Sequence, residues 1–82
     1  MYDIEWKDAA IDGLAQLSLS YPSRWADINS AVNLIEYRLR RFPMAYSNEV
    51  SEDLWRIDVD PIAICFTMSD QSITIESVGW IG

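Results

Sequence analysis

The sequence predicts an α+β domain of order β-α-α-β-β-β, with a twisted, mostly antiparallel four-stranded sheet and two helices packed on one face. Three observations lead to this fold class. Residues 2–7 alternate between apolar and charged side chains, as a half-buried strand does. Two stretches with helical periodicity follow them. The chain then closes with three β-rich stretches separated by turn residues.

The first strand and the first helix are predicted from adjacent segments. In YDIEWK, residues 2–7, apolar and charged side chains lie on opposite faces of an extended chain. Asp8 has a side chain that commonly caps a helix, and apolar residues recur behind it at helical spacing. Gly13 weakens this helix by about 1 kcal/mol relative to alanine. Pro22 ends it.

The second helix has the clearest helical pattern in the chain. Its apolar stripe follows alternating three- and four-residue steps: Trp25, Ile28, Val32, Ile35, Leu39 and Phe42. Arg38, Arg40 and Arg41 fall in the last turn, where positive charge complements the helix dipole. Pro43 stops the helix.

The remaining segment is predicted as a loop and three strands. The composition of MAYSNEVSED, residues 44–53, is typical of a loop. The strands are expected at about 53–60, 62–69 and 72–80. The second and third are joined by SDQS, a tight-turn composition. Pro61 separates the first from the second, because its missing N–H favours a turn or a strand edge.

Length and composition set the class of protein. The 82 residues fit a single domain, residues 1–82. The start MYDIEW lacks the basic region of a signal peptide, and no apolar run approaches the roughly 20 residues that cross a bilayer. Cys65, the single cysteine, lies in an apolar run, which is typical of a small buried hydrophobe in a reducing compartment. We therefore expect a cytoplasmic protein without a membrane contact.

Charge disfavours several functions. Thirteen acidic and six basic residues leave a formal charge of −7, which repels phosphate and disfavours nonspecific nucleic-acid binding. Histidine is absent, so the commonest general base and the commonest metal ligand are both missing. We expect neither a cofactor nor a metal site.

Arg56, Asp58 and Asp60 share one face of the predicted strand. Carboxylates about 7 Å apart at positions i and i+2 can share acid–base work or hold a hard cation. A metal-dependent enzyme is therefore one hypothesis, although the sequence supplies neither further oxygen ligands nor a pocket. A solvated strand face explains the pattern more simply. Arg56 is the one candidate catalytic residue in this stretch.

Other side chains are candidates for binding a partner or a phosphate group. Arg38 and Arg41 are neighbours on the helix, and they fit either a carboxylate-rich or phosphate-bearing partner or a well-charged helix end. Trp55 aligns with the apolar face of its strand and is predicted to join the core. Trp80 fits the core, a partner anchor or a stacking surface, and these alternatives stay open.

Three segments in this order resemble the RelE/ParE toxin family of bacterial toxin–antitoxin modules. YDIEWKDAAIDGLAQL resembles its opening strand and first helix, and INSAVNLIEYRLRRFP its second helix. LWRIDVDPIAICFTMSDQSITIESVGWI resembles its closing three-strand meander. The resemblance implies a cognate antitoxin that holds the protein inactive and a role in plasmid stabilization. It also implies a target, because RelE-like members cut messenger RNA at the ribosome and ParE-like members poison DNA gyrase.

The departures from this family concern the RNA-cleaving site. Cleavage needs cations that neutralise the reacting phosphate. Arg56 matches the first basic position, but the next position on that face is Asp58. The following strand carries Ala63 near the place where an arginine is common in the family. Trp80 and Ile81 stand where a basic or tyrosyl group is expected. Two unit charges a few Å apart interact by about 4 kcal/mol at an effective dielectric near 20. An aspartate in place of a cation therefore costs several kcal/mol of attraction to the phosphate.

Two functions follow as hypotheses from the resemblance and its departures. The first is a toxin-like component of a type II module whose RelE-type RNase site is degraded. The alternative is a non-catalytic protein-interaction module on the same fold. A homodimer through an exposed sheet edge or helix stripe is compatible with both.

Overall fold

The chain forms five strands, two α-helices and one short 3₁₀ helix in a computed structural model that describes residues 1–82. The strands are β1 Asp3–Trp6, β2 Ser47–Ser51, β3 Leu54–Val59, β4 Ile62–Ser69 and β5 Ser72–Trp80. The helices are α1 Asp8–Ser20 and α2 Trp25–Arg41, with the 3₁₀ helix Pro22–Arg24 between them. The predicted positions of α2 and of the last three strands are confirmed within two residues.

All five strands belong to one mixed sheet with the order β1-β5-β4-β3-β2. β1 runs parallel to β5, and every other neighbouring pair is antiparallel. The predicted four-stranded sheet is therefore wrong in its strand count and omits the parallel edge. The parallel pairing brings Ile4 beside Ile73 and Trp6 beside Ile75, so apolar side chains of both strands share one face.

The additional strand, β2, lies in the segment 44–53 that its composition predicts as a loop. It pairs only with β3 and forms one edge of the sheet. Four of its five residues are exposed, so the strand needs no alternating apolar side chains. Backbone hydrogen bonds to β3 hold it, and composition alone does not reveal them.

The core lies between the two helices and one face of the sheet. Buried side chains of α2 (Ala31, Ile35 and Leu39) and of β3, β4 and β5 form a single cluster with Ala10 of α1. The strand members of the cluster are Ile57, Ile62, Ile64, Phe66, Ile73 and Ile75. Trp55 is half-buried against this cluster, as predicted.

The ends of the predicted α2 stripe do not join the core. Trp25 is 55% exposed and Phe42 is 53% exposed, because they lie at the first residue of the helix and just beyond its last. The indole N–H of Trp25 donates to the carbonyl oxygen of Ser18 at 2.6 Å. The prediction of an apolar stripe is therefore correct only for the central turns.

The α1 helix packs closely across β5. A Cβ atom built at Gly13 would lie 3.6 Å from the carbonyl oxygen of Val78. The predicted Asp8 cap is wrong, because the helix begins at Asp8 and Lys7 occupies the cap position without a side-chain capping bond. Asp8 instead places its negative charge in the first turn, where it complements the helix dipole. Neither α1 nor α2 is long and apolar enough to cross a membrane.

Candidate functional site

The sheet face opposite the helices carries the residues around Arg56. Cross-strand pairing aligns Arg56 with Cys65 and Cys65 with Ser77. We call this surface the open face. Cys65 is half-buried there and has a free thiol, so it does not occupy the fully buried position expected from its apolar neighbours.

Arg56 and Asp58 form a two-point ion pair on the open face. The Nε–H of Arg56 donates to Oδ1 of Asp58 at 2.6 Å, and Nη2 donates to Oδ2 at 3.2 Å. This hydrogen bonding and then the opposite charge of Asp58 raise the pKa of the Arg56 guanidinium above its ordinary value. The guanidinium thus already holds a carboxylate in the geometry that it would offer to a phosphate.

Lys7, just after β1, is neutralised in the same way. Its Nζ lies 2.7 Å from Oε1 of Glu76, while the hydroxyl of Thr67 donates to Oε2 at 3.0 Å. The hydrogen bond from Lys7 is the main cause that lowers the pKa of the Glu76 carboxyl, and burial opposes it. Both oxygens of Glu76 therefore have a donor.

Asp60 does not share the surroundings of Asp58. It lies in the turn between β3 and β4, and its Oδ2 is 3.9 Å from Nη2 of Arg24. The sequence prediction that Arg56, Asp58 and Asp60 share one face is therefore wrong for Asp60, because the strand ends at Val59. No group of three or more acidic or cysteine side chains comes together in a geometry that holds a metal ion.

Trp80 lies on the helix-covered side of the sheet. It pairs with Ile62 in the neighbouring strand, and its ring stacks on Tyr21 with 3.8 Å between the ring centroids and an angle of 4° between planes. The guanidinium carbon of Arg24 is 5.4 Å from the Trp80 ring centroid. Tyr21 thus covers a flat face of the ring that a nucleic-acid base would need for stacking.

A shallow pocket of about 270 Å³ opens between α2 and the end of β3. Its apolar lining comes from Ala31, Leu34 and Val59. Arg24, Asp27, Ser30 and Asp60 supply the polar lining. Arg24 also forms a salt bridge to Asp27 at 2.7 Å, so the charged side chains around the pocket pair with one another.

Arg38 and Arg41 lie near the end of α2. The Arg38 guanidinium is 4.1 Å from the ring centroid of Tyr46, and the Arg41 guanidinium is 4.2 Å from that of Tyr37.

The helix lies on the opposite side of the sheet from Arg56. The four candidate residues therefore occupy three separate places: Arg56 on the open face, Trp80 beside Arg24, and Arg38 with Arg41 at the end of α2.

Sequence reasoning missed several partners of these residues. Tyr37 lies four positions before Arg41, a spacing that places both on one side of a helix, so this contact was detectable. The pair of Lys7 and Glu76 depends on the parallel alignment of β1 and β5, and no local pattern reveals it. The contact of Arg24 with Asp60 likewise joins distant segments.

No protein-family model matches the chain, and no curated protein sequence matches it. Solved structures do match, although at low sequence identity. A chain of the chromosomal ParDE TA system from P. aeruginosa has a TM-score of 0.80 and 14% identity, with 100% of this chain and 98% of that chain covered.

Two further structures support the same fold. A chain of the toxin–antitoxin complex RelBE2 from Mycobacterium tuberculosis has a TM-score of 0.78 and 15% identity, with 96% of each chain covered. A conserved hypothetical protein from Helicobacter pylori has a TM-score of 0.62 and 15% identity, with 98% of this chain and 94% of that chain covered. The chain therefore has the RelE/ParE-like toxin fold that the sequence resemblance implied.

Proposed function

We propose that this protein is the toxin-like component of a type II toxin–antitoxin module and that it acts by binding other proteins, without cleaving RNA. The correspondence of the whole chain to structures of the ParDE and RelBE2 systems carries this proposal. Both of those structures are described as toxin–antitoxin systems, and the matching chains have nearly the same length as this one. A cognate antitoxin is therefore the expected partner.

The charges of the open face argue against RNA cleavage. Catalysis of phosphoryl transfer requires cations that are oriented toward the reacting phosphate before it arrives. Arg56 is held by Asp58 and Lys7 is held by Glu76. A phosphate would have to displace a carboxylate from either cation while it is repelled by that carboxylate. The formal charge of −7 adds a repulsive field at longer range.

Acid–base groups for the reaction are missing from the open face as well. Glu76 has a lowered pKa and both of its oxygens accept hydrogen bonds, so it is ionised and already engaged at neutral pH. Cys65 and Ser77 align with Arg56, but the chain contains no histidine that could activate either group. These observations support a protein that acts by binding and not by cleaving RNA.

A second candidate function is a non-catalytic interaction module that has lost toxicity altogether. The ion pair of Arg56 with Asp58 favours it, because the pair removes the cation most expected to act on a nucleic acid. Both candidates predict a protein partner. They differ in their effect on a growing cell, which only the toxin-like protein slows.

Copurification tests the expected partner. The chain is expressed with a tag together with the product of each adjacent reading frame, and the complex is measured by size-exclusion chromatography with light scattering. We expect one small neighbouring protein to copurify in a fixed ratio. Absence of any complex with either neighbour would contradict the proposal. In the same experiment, the mass of the chain alone tests whether it forms a homodimer.

A cleavage assay tests the loss of nuclease activity. Messenger RNA on programmed ribosomes is incubated with the purified chain, and primer extension locates any new ends. We expect no cleavage by the wild-type protein and none by Arg56→Ala. Cleavage by the wild type that Arg56→Ala abolishes would show that the ion pair with Asp58 opens during the reaction.

A further inference from the structure

The six cationic side chains of the protein fall into two groups. Lys7, Arg24 and Arg56 each lie within 4.0 Å of a carboxylate oxygen. The other three, Arg38, Arg40 and Arg41, form no such pair, and all of them lie in the last turn of α2. The end of α2 is therefore the one place in this acidic protein where cationic side chains are not paired with a carboxylate.

Large exposed side chains surround two of these arginines. Tyr37 and Phe42 are 52% and 53% exposed, and Met44 and Tyr46 are each 48% exposed. We call this surface the basic–aromatic patch and define it as Tyr37, Arg38, Arg41, Phe42, Met44 and Tyr46. Its residues come from α2 and from the segment that leads to β2.

The two arginines of the patch are held by stacking and not by ion pairs. Arg38 lies over the ring of Tyr46 and Arg41 lies over the ring of Tyr37. Stacking fixes the plane of a guanidinium but leaves its N–H donors available. Less conformational entropy is then lost when these donors bind a carboxylate. Tyrosine and arginine are also the residue types that contribute most to binding at protein interfaces.

The number of unpaired cations discriminates between two kinds of partner. Binding to a nucleic-acid backbone relies on several cations that each neutralise a phosphate, on the order of 6–10 in strongly salt-dependent cases. Three arginines on a protein of charge −7 do not provide such a surface. Two carboxylates on a short peptide need only Arg38 and Arg41, which lie three positions apart on one side of the helix. The apolar side chains of such a peptide would cover Phe42 and Met44.

We propose that the basic–aromatic patch docks an acidic segment of the partner protein that also carries apolar side chains. This inference rests on the proposed function, because the occupant is a segment of the expected antitoxin. Its carboxylates bind Arg38 and Arg41, and its apolar side chains pack on Tyr37, Phe42 and Met44. The segment thereby complements both the charge and the exposed apolar area of the patch.

A peptide titration tests the chemistry of the patch. A short synthetic peptide of alternating glutamate and leucine is added to the isotope-labelled full chain, and amide shifts are followed by NMR. We expect shifts confined to the end of α2 and the segment before β2, with affinity that falls as salt is added. The same peptide with glutamine for glutamate should bind at least about tenfold more weakly, because the charge-assisted hydrogen bonds are lost.

A matched pair of double variants tests the two arginines. Arg38→Gln/Arg41→Gln should weaken binding of the glutamate peptide at least about tenfold. Lys7→Gln/Arg24→Gln changes the net charge by the same amount at cations that are already paired, and it should leave the affinity within about twofold. Amide spectra of the free variants show whether each remains folded.

Three outcomes would overturn the inference. The glutamine peptide could bind as tightly as the glutamate peptide, or both double variants could lose affinity equally. A single-stranded RNA oligonucleotide could instead shift the patch amides when the peptide does not, which would make the patch a nucleic-acid surface.

The copurified partner separates this inference from the proposed function. If the partner binds Arg38→Gln/Arg41→Gln as tightly as wild type, the docking site is wrong and the proposed function stands. If no neighbouring product binds but the peptide titration gives the expected shifts, the proposed function fails while the binding chemistry of the patch is supported.

Discussion

Arg56 and Asp58 determine what the open face can bind. Two hydrogen bonds of 2.6 and 3.2 Å join them, and both side chains are about half exposed. An ion pair in this setting adds little to stability, because water screens it and both side chains must be ordered. The pair instead affects binding, because Asp58 engages Arg56, the cation that the family resemblance would assign to phosphate.

The variant Asp58→Asn should restore part of that phosphate affinity. Removing one negative charge about 4 Å from the phosphate is worth about 1 kcal/mol in a water-like dielectric, or about fivefold in affinity. Inorganic phosphate titrated into labelled protein, with the Arg56 side-chain Nε resonance observed, measures the change. Asp60→Asn is the matched control, because Asp60 faces Arg24 and should leave the Arg56 resonance unaffected. Equal phosphate binding by wild type and Asp58→Asn would show that the acid does not block Arg56.

Glu76 should make stability depend on pH in the acid range. Its folded pKa is lowered, so its pairing stabilises the protein fully above the ordinary glutamate pKa of about 4.3, and this contribution is lost as pH falls through the folded pKa. Urea unfolding at about pH 6 and pH 3 should show wild type losing up to about 1 kcal/mol more than Glu76→Gln. Glu52→Gln, which removes an exposed and unpartnered carboxylate, should follow wild type. Parallel losses in wild type and Glu76→Gln would contradict this role.

At the scale of single elements, α1 contains a residue that limits its own stability. Gly13 is helical, and an added Cβ would make only an ordinary contact with the carbonyl oxygen of Val78 at 3.6 Å. Gly13→Ala should therefore stabilise the protein by about 1 kcal/mol, because alanine loses less backbone entropy in a helix. Urea denaturation measures the change.

The reverse substitution in the same helix is its control. Ala15 is exposed in α1, so Ala15→Gly should cost about 1 kcal/mol by the same mechanism. If Gly13→Ala destabilises while Ala15→Gly behaves as expected, the approach of α1 to β5 is tighter than the 3.6 Å contact indicates.

Elements with a repeating apolar pattern could be predicted from the sequence, and elements held by backbone pairing could not. The central stripe of α2 (Ile28, Ile35 and Leu39) is buried as its spacing predicts. β2 has no such pattern, because it is an edge strand whose side chains are mostly exposed. The parallel alignment of β1 with β5 joins the two ends of the chain and leaves no local signal.

Over the whole molecule, the positions of the charges indicate where a partner can bind better than the total charge does. The sequence shows the charge of −7 and the cluster of arginines at the end of α2. It does not show that Lys7 pairs with Glu76 or that Arg24 approaches Asp60, because these contacts join distant segments. The structure thereby distinguishes paired cations from unpaired ones, and the unpaired ones support the interface that we propose at the end of α2.

The fold of this protein tolerates wide changes in sequence. The chain reproduces the RelE/ParE-like fold with 14–15% identity to the matching structures. A fold of this kind is maintained by the buried positions, such as Ile57, Ile64 and Ile75. Asp58 is an exposed open-face position outside that core, so it can change without loss of the fold.

Growth of a bacterial host that expresses this chain is the most direct test of a toxin-like function. The chain is induced alone and together with the product of the neighbouring reading frame, and growth is measured at equal levels of soluble protein. We expect that the chain alone slows growth and that coexpression of its neighbour restores it. Unchanged growth with abundant soluble chain would contradict a toxin-like function and would favour the non-catalytic interaction module.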